Sequence, residues 1–543
     1  MVREKKISRR RDACDTVSYQ AILLAFAAVI SFDQASAQEA NTSAGQPTQM
    51  VAQARDTKVA EIAAIRAETA NLKKENDALE ARLYQLEKRQ AERAKKQKEA
   101  SNQTATGAPS DSFTALAASS ASNLLTGDGP LTWHGITLYG SIQAGVAYLT
   151  HGAPFNGYAA SSLPYLVSKY SNRPTFGYAG NDYGSSYLGL KGAEEILPGV
   201  SAIFNMTSFF DTGSGNLSDG LKSLVMQNGV PLANQSANSD TSLAGQLFND
   251  QVYTGLSSPT YGTLTIGRQH ALTADNMVKY DSMRTATGFS IYGYAGTYSA
   301  IGSTEDRRWD NSIKYGVDAG PLRFAAMAKP GDYSGANPAY QVGGGASYAG
   351  FSFDAYYGHF SDAIQSSSLS AAQLRTLPAG TLAGVVADTS GAQIGASYTW
   401  TQFVLMGGYE QIHFSNPANP LPANVTTIGG YTLSTVSNTA FPHNKILNAS
   451  WLGLRYNYSK ELELNAAYYG VTQNSYGTKS CSDASAITCS GWLQGYSFIA
   501  DYHFTKRVDV YGGIFYTVYG NGLASGSLYK NNFMPQAGMR FIF

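Results

Sequence analysis

From Leu131 to Phe543, apolar side chains alternate with small or polar ones over segments of about ten residues, and clusters of turn-forming residues divide the segments. A two-residue period predicts β-strands with one apolar face. The dividing segments alternate in length. Short ones fall at Glu195–Gly199, Ser258–Gly262, Asp318–Pro321, Ala349–Gly350, Thr399–Thr401, Ser459–Glu461 and Thr505–Arg507. Long ones fall near 150–183, 211–246, 269–307, 330–337, 361–388, 413–445, 475–492 and 519–531. Seven short turns and eight long loops separate sixteen antiparallel strands, or about eighteen if a long loop hides a hairpin. Soluble sandwiches do not sort their loops by length, whereas transmembrane barrels have short turns at one end and long loops at the other. Residues 131–543 are therefore expected to form an all-β transmembrane barrel. Tyr261, Tyr315, Tyr456, Tyr458, Tyr502 and Phe504 sit at strand ends beside short turns, where an interfacial aromatic girdle belongs.

The segment before the barrel has a different period. Between Val59 and Gln90 the chain is rich in Ala, Glu, Lys and Leu, and heptads place Ile62, Thr69, Asn76, Leu83 and Gln90 at a. Ile65, Leu72, Leu79 and Leu86 then occupy d, so residues 56–100 are expected to form a helical coiled coil. Asn76 at a would fix register at some cost in stability. A solitary helix is the alternative. Residues 101–130 are dominated by Ser, Ala, Thr, Asn and Gly and read as a linker, and 38–55 as a flexible segment.

Residues 1–37 carry basic side chains, an apolar run from Ala21 to Phe32, and Ala35-Ser36-Ala37 before Gln38, the pattern of a cleavable export signal. That run is too short to span a bilayer as a helix, which needs roughly 20 apolar residues. Without the signal the chain keeps 33 of its 39 basic and 35 of its 39 acidic side chains, so it lacks the basic face that nucleic-acid binding requires. Cys14 falls within the signal, and Cys481 and Cys489 remain as a candidate disulfide in an oxidising compartment. The seven histidines are scattered, and nothing local pairs a serine with a base or gathers metal ligands. Neither an enzyme, a cofactor nor a metal site is expected.

Several stretches resemble the general porin family of Gram-negative outer membranes, in particular the sixteen-stranded trimeric type. Ile136-Thr137-Leu138-Tyr139-Gly140 is similar to the family's first strand, and Gly189-Leu190-Lys191-Gly192-Ala193-Glu194-Glu195 to its second strand and turn. Tyr253 to Pro259 running into Tyr261 to Gln269 resembles the hairpin before the third loop, and Asp310 to Tyr315 the strand that leaves it. Tyr458-Ser459-Lys460, Phe504-Thr505-Lys506-Arg507 and the terminal Phe543 resemble late turns and the assembly signal. The resemblance covers 131–543 in the family's order. It implies a homotrimer in the outer membrane, in contact with lipid and lipopolysaccharide, assembled through the strand ending at Phe543. The coiled coil would then lie in the periplasm, where it could reach peptidoglycan.

The resemblance also implies that residues 270–306 fold into the lumen as a constriction carrying Asp275, Asp281, Glu305 and Asp306. Basic residues on the wall would face this loop. Strand alternation turns Lys191, Arg308, Lys314, Arg323 and Arg455 inward, opposite outward-facing Leu190, Ile313, Tyr315, Leu322, Phe324, Leu454 and Tyr456. Arg268 shares parity with Leu264 and Ile266 and would face outward unless a bulge intervenes. Tyr187 stands where the family more often has a basic residue, which weakens the expectation of strong anion preference. Loop residues Tyr280, Phe289, Tyr292, Tyr294 and Tyr298 either pin the loop to the wall or stack on sugars, as in a carbohydrate-selective porin. A tether or adhesin built on the coiled coil is the remaining alternative to a passive diffusion channel.

Overall fold

A computed structural model describes residues 131–543, apart from 155, 159–172, 238–241, 294–306, 332–336, 423–425, 479–480 and 482–485. The expected signal, flexible segment, coiled coil and linker at 1–130 lie outside the described residues. Sixteen antiparallel strands form a closed ring. In chain order they are Ile136–Leu149, Ser186–Leu197, Val200–Phe210, Gln251–Ser258, Gly262–His270, Arg308–Ala319, Leu322–Lys329 and Ala339–Tyr348. The second half comprises Phe351–Ser367, Leu382–Trp400, Phe403–Ser415, Lys445–Asn457, Leu462–Gln473, Gly491–His503, Val508–Asn521 and Asn531–Ile542. Four shorter strands, Leu131–Trp133, Thr175–Tyr178, Thr426–Ile428 and Tyr431–Ser437, decorate the rims.

Each strand pairs with its neighbours in sequence, and the ring closes where Ile136–Leu149 meets Asn531–Ile542 in the register Ser141 to Ile542 through Ala147 to Gln536. Closure leaves no unpaired edge, the condition for a sheet to cross lipid. All seven short turns fall at one end, for example Gly320-Pro321 and Ala349-Gly350, and the long loops at the other. Gly350 has φ +83°, a left-handed conformation that a tight turn requires and glycine adopts without strain.

The two faces of the strands differ as the period demands. Leu188, Ile266, Ile313, Phe324, Ile394, Leu405, Leu452, Phe498 and Met539 point outward and are exposed, forming the lipid-facing band. The residues that alternate with the outward ones along the strands point into the lumen and are mostly buried, among them Gln341, Asp354, Gln393, Trp451 and Tyr469. At the short-turn end Tyr261, Tyr458 and Phe504 are strongly exposed, and Tyr315 Oη donates to the Tyr261 carbonyl at 2.8 Å. These aromatics form a girdle at the interface. At the long-loop end Cys481 and Cys489 are joined by a disulfide with Cα atoms 5.4 Å apart.

The closing seam ends on the terminal residue. Gly140 N–H donates to the Phe543 carbonyl at 2.9 Å and Phe543 N–H to the Gly140 carbonyl at 3.0 Å. The Phe543 ring lies where a side chain on residue 140 would project. Gly140→Val is therefore expected to destabilise closure by about 1–3 kcal/mol. A heat-modifiability gel should show a smaller folded fraction than wild type, and an equal fraction would contradict this account of the seam.

Candidate functional site: the loop inside the barrel

After Gly262–His270 the chain leaves the sheet, and its described residues 271–293 run inside the barrel. Its first element is the helix Leu272–Tyr280, with Leu272, Thr273, Ala274, Asn276, Met277 and Tyr280 buried. The loop follows the wall and makes contacts with one strand after another. Leu272 N–H donates to Gln341 Oε1 at 2.7 Å, Asn276 Nδ2 to Gln393 Oε1 at 2.6 Å, and Trp451 Nε1 to the Tyr280 carbonyl at 2.9 Å. Farther on, Ser282 Oγ donates to the Ala466 carbonyl at 3.1 Å, Ser497 Oγ to the Phe289 carbonyl, and Gln536 Nε2 to the Gly288 carbonyl. The wall thus answers polar groups that an irregular segment could not leave unpaired.

Wall glycines make room for this seat. A side chain at Gly395 would strike the Tyr280 ring, and one at Gly453 would strike Ser282. Aromatic rings then fasten the loop. Tyr292 meets Trp451 and Tyr469 edge-on, each at 5.5 Å, and Phe289 meets Tyr183 and Tyr511 edge-on, each at 6.1 Å. Such contacts add about 1 kcal/mol each beyond the area they bury. Tyr280, Phe289 and Tyr292 are completely buried. Pinning therefore accounts for these three rings. Tyr294 and Tyr298 lie outside the described residues.

Ion pairs form the second fastening. Asp354 accepts Lys279 Nζ at 2.6 Å, Tyr280 Oη at 2.7 Å and Arg323 Nε at 3.0 Å. Glu463 accepts Arg284 Nη2 at 3.1 Å on both oxygens, and Arg455 Nε lies 3.5 Å away. In each cluster one cation comes from the loop and one from the wall. Asp275 is bound by Lys314 Nζ at 2.5 Å and by His270 Nδ1 at 3.3 Å. Its side chain is about half exposed, 48%. Partial burial opposes ionisation, but Lys314 and His270 outweigh it and hold the carboxyl well below the usual range. The stabilisation is present above the ordinary carboxylate pKa and fades as pH falls below it.

Asp281 behaves differently, because burial pushes its carboxyl upward even though it accepts Tyr469 Oη at 2.6 Å and the amides of Met283 at 3.1 Å and Thr285 at 2.9 Å. These bonds hold a reversal at Arg284 and Thr285, whose φ angles of +53° and +56° are strained for residues with a Cβ.

A family model described as Gram-negative porin matches residues 105–522, more than three quarters of the chain. The chain belongs to the Gram-negative porin family. An outer-membrane porin protein of Bordetella pertussis is 27% identical over 180 residues, covering 33% of this chain and 38% of that relative. Among solved structures, an anion-selective porin from Comamonas acidovorans is 16% identical with a TM-score of 0.47, covering 75% of this chain and 99% of that one. OmpF of Salmonella typhi is 14% identical with a TM-score of 0.41, covering 75% of this chain and 97% of that one.

Within this porin the residues singled out from the sequence do not share one place. Asp275, Asp281, Lys314, Arg323 and Arg455 meet at the seam between loop and wall, with Lys191 on the wall stacked 5.0 Å over the Tyr139 ring. Arg268 and Arg308 lie at the long-loop rim instead. A register shift between Gly267 and Gln269 turns Arg268 out of the parity of Leu264 and Ile266, as a bulge would. Its guanidinium bonds the carbonyls of Asn249 and Ser242 and Asp310 Oδ1 at 2.6 Å. Arg308 Nη2 pairs with Asp250 at 2.7 Å. Burial resists ionisation of Asp250, but His270 and Arg308 hold its carboxyl well below the usual range. Glu305 and Asp306 lie outside the described residues.

The sequence reading missed Lys279, Arg284, Asp354 and Glu463. Only parity could have hinted at Asp354 and Glu463, since both alternate with outward apolar residues.

Removing the Tyr469 hydroxyl takes one side-chain donor from the buried Asp281 carboxylate. Tyr469→Phe is expected to cost about 1–3 kcal/mol, localised to the loop. Faster proteolysis or hydrogen exchange within 281–293, with the barrel itself unchanged, would show it. Unaltered loop protection would contradict the role given to Asp281.

Proposed function

We propose that this porin is a water-filled channel of the outer membrane through which small hydrophilic solutes and ions diffuse passively, and that the loop beginning at Ala271 sets its width. The observation that carries this reading is the seat of that loop: helix, aromatic pins and ion pairs hold it against the inner wall and narrow the lumen from one side. A rigid constriction sorts solutes by size and charge without any conformational cycle. The alternation of lumen-facing polar and lipid-facing apolar residues supplies the water-filled interior. A sugar-stacking track gains no support from Tyr280, Phe289 and Tyr292, because their faces are spent on the wall.

The assembly reading goes with it. Barrels of this type are expected to associate as homotrimers in contact with lipid and lipopolysaccharide, with Phe543 presented to the assembly machinery. Three copies of residues 56–100 would then leave the membrane near one another, and their local concentration favours a parallel three-stranded coiled coil reaching toward peptidoglycan.

Two experiments test these readings. Replacing residues 272–293 by a short flexible linker should raise single-channel conductance by about twofold or more and admit larger sugars in liposome swelling. Unchanged conductance would refute the constriction. Leu79→Cys in the full chain should crosslink into trimers under oxidation, and deletion of 56–100 should leave conductance intact while lowering the assembly's resistance to heat and detergent. Dimers alone, or loss of conduction on deletion, would refute the trimeric extension.

A further inference from the structure

The wall is not the only partner of the loop inside the barrel. Its tip, residues 284–289, also meets a second stretch of chain, 181–184, which lies at the end of the first long loop, just before the strand Ser186–Leu197. That stretch is anchored on its own side of the ring. Gly184 N–H donates to Gln143 Oε1 at 3.0 Å, Ser186 N–H to Asn181 Oδ1 at 2.6 Å, and Asn181 Nδ2 to the Phe210 carbonyl at 3.0 Å. Asn181 has φ +64°, a left-handed conformation that asparagine tolerates better than most residues.

Wall and second stretch divide the polar groups of the tip between them. Gly288 N–H donates to the Asp182 carbonyl at 2.7 Å, and Thr287 Oγ1 donates to the Asn181 carbonyl. The carbonyls of Gly288 and Phe289 accept instead from Gln536 and Ser497 on the wall. The tip is therefore gripped from two sides, and release from either leaves buried groups unanswered. A Cβ at Gly288 would lie 2.7 Å from the Asp182 Cβ, so the two stretches are in close contact. Tyr183 ties them together. It is 4% exposed, its ring meets Phe289 edge-on at 6.1 Å and Tyr511 at 4.8 Å, and the Arg540 guanidinium lies 4.7 Å over it. Its hydroxyl donates to Asp501 Oδ2 at 2.8 Å and accepts from Arg284 Nη1 at 3.5 Å. Asp501 stands on Gly491–His503, four strands around the ring from Ser186–Leu197.

Resting on the channel reading above, we propose that residues 181–184 form a second jaw of the constriction, and that Tyr183 is the positioning residue that keeps the loop tip seated while solutes pass. Tyr183 acts through Phe289, by packing, and through Arg284, by its hydroxyl. The fastenings at Asp354 hold the start of the loop, whereas this jaw holds its far end. With the jaw loosened, the tip keeps only its carbonyl bonds to the wall. It can then swing toward the axis and narrow the lumen for as long as it stays displaced. Local openings of this kind last from microseconds to seconds, and the slower ones are resolved in single-channel recordings.

The test uses the full chain in planar bilayers. Tyr183→Phe keeps the ring and removes the hydroxyl. Its channels should show brief downward current steps occupying about tenfold more time than in wild type, because a hydrogen bond to a carboxylate is lost. A heat-modifiability gel should show the same folded fraction for both proteins. A crosslink then separates seating of the tip from any other effect of the hydroxyl. Adding Asp182→Cys and Gly288→Cys to Tyr183→Phe places two thiols where jaw and tip touch. The oxidised triple variant should lose the steps, and reductant added to the same channel should bring them back. Steps as rare in folded, conducting Tyr183→Phe as in wild type would overturn the inference while leaving the channel reading standing. Steps that persist unchanged in the crosslinked channel would overturn it as well. Folded wild-type protein that carries no current would overturn the channel reading, and this inference with it.

Discussion

A segment that leaves the sheet and enters the lumen must find a partner there for each amide and carboxylate it buries, and this requirement shapes the rest of the site. The barrel itself satisfies its backbone by ring closure between the first and last strands. The loop cannot use that solution, because its backbone lies off the ladder. Wall side chains answer it instead: Gln341 caps the start of the lumen helix, Gln393 meets Asn276, and Trp451 meets the carbonyl of Tyr280. Glycines at 395 and 453 let the loop come close enough for those bonds to form.

The same requirement explains why the charges are arranged as shared clusters. A carboxylate buried in the wall would be costly alone, and losing one partner of such a pair typically costs several kcal/mol. Asp354 and Glu463 avoid this by pairing with two cations each, one of which travels in on the loop. The cations that fix the loop are thus the same ones that compensate the buried acids. Ion pairs of this kind contribute position more dependably than net stability, and position is what a constriction needs.

The barrel was legible in the sequence because a two-residue period survives without tertiary information. Sixteen strands and the seven short turns follow from where apolar alternation stops. The seam was not, because its partners lie far apart along the chain: Lys279 reaches Asp354 across 75 residues and Arg284 reaches Glu463 across 179. Parity turns Lys314, Arg323 and Arg455 toward the lumen, yet alternation alone could not tell which cation would meet which acid. It placed Arg268 awkwardly for a physical reason, since the shift after Gly267, opposite Asn311 with φ +54°, breaks the alternation on which parity depends. Asp281 was legible as a loop acid, but its burial beneath Tyr469, and hence its work in shaping the loop, depends on a wall residue 188 positions away.

The account stands or falls on where the loop lies. Ser282 on the loop and Gly453 on the wall are close enough that a Cβ at 453 would touch the serine. In the double variant Ser282→Cys and Gly453→Cys, mild oxidation of folded protein should join the two cysteines in nearly every molecule, with single-channel current persisting through the crosslinked barrel. Two thiols that remain separately alkylatable in a correctly folded, conducting barrel would place the loop elsewhere and contradict the constriction built from it.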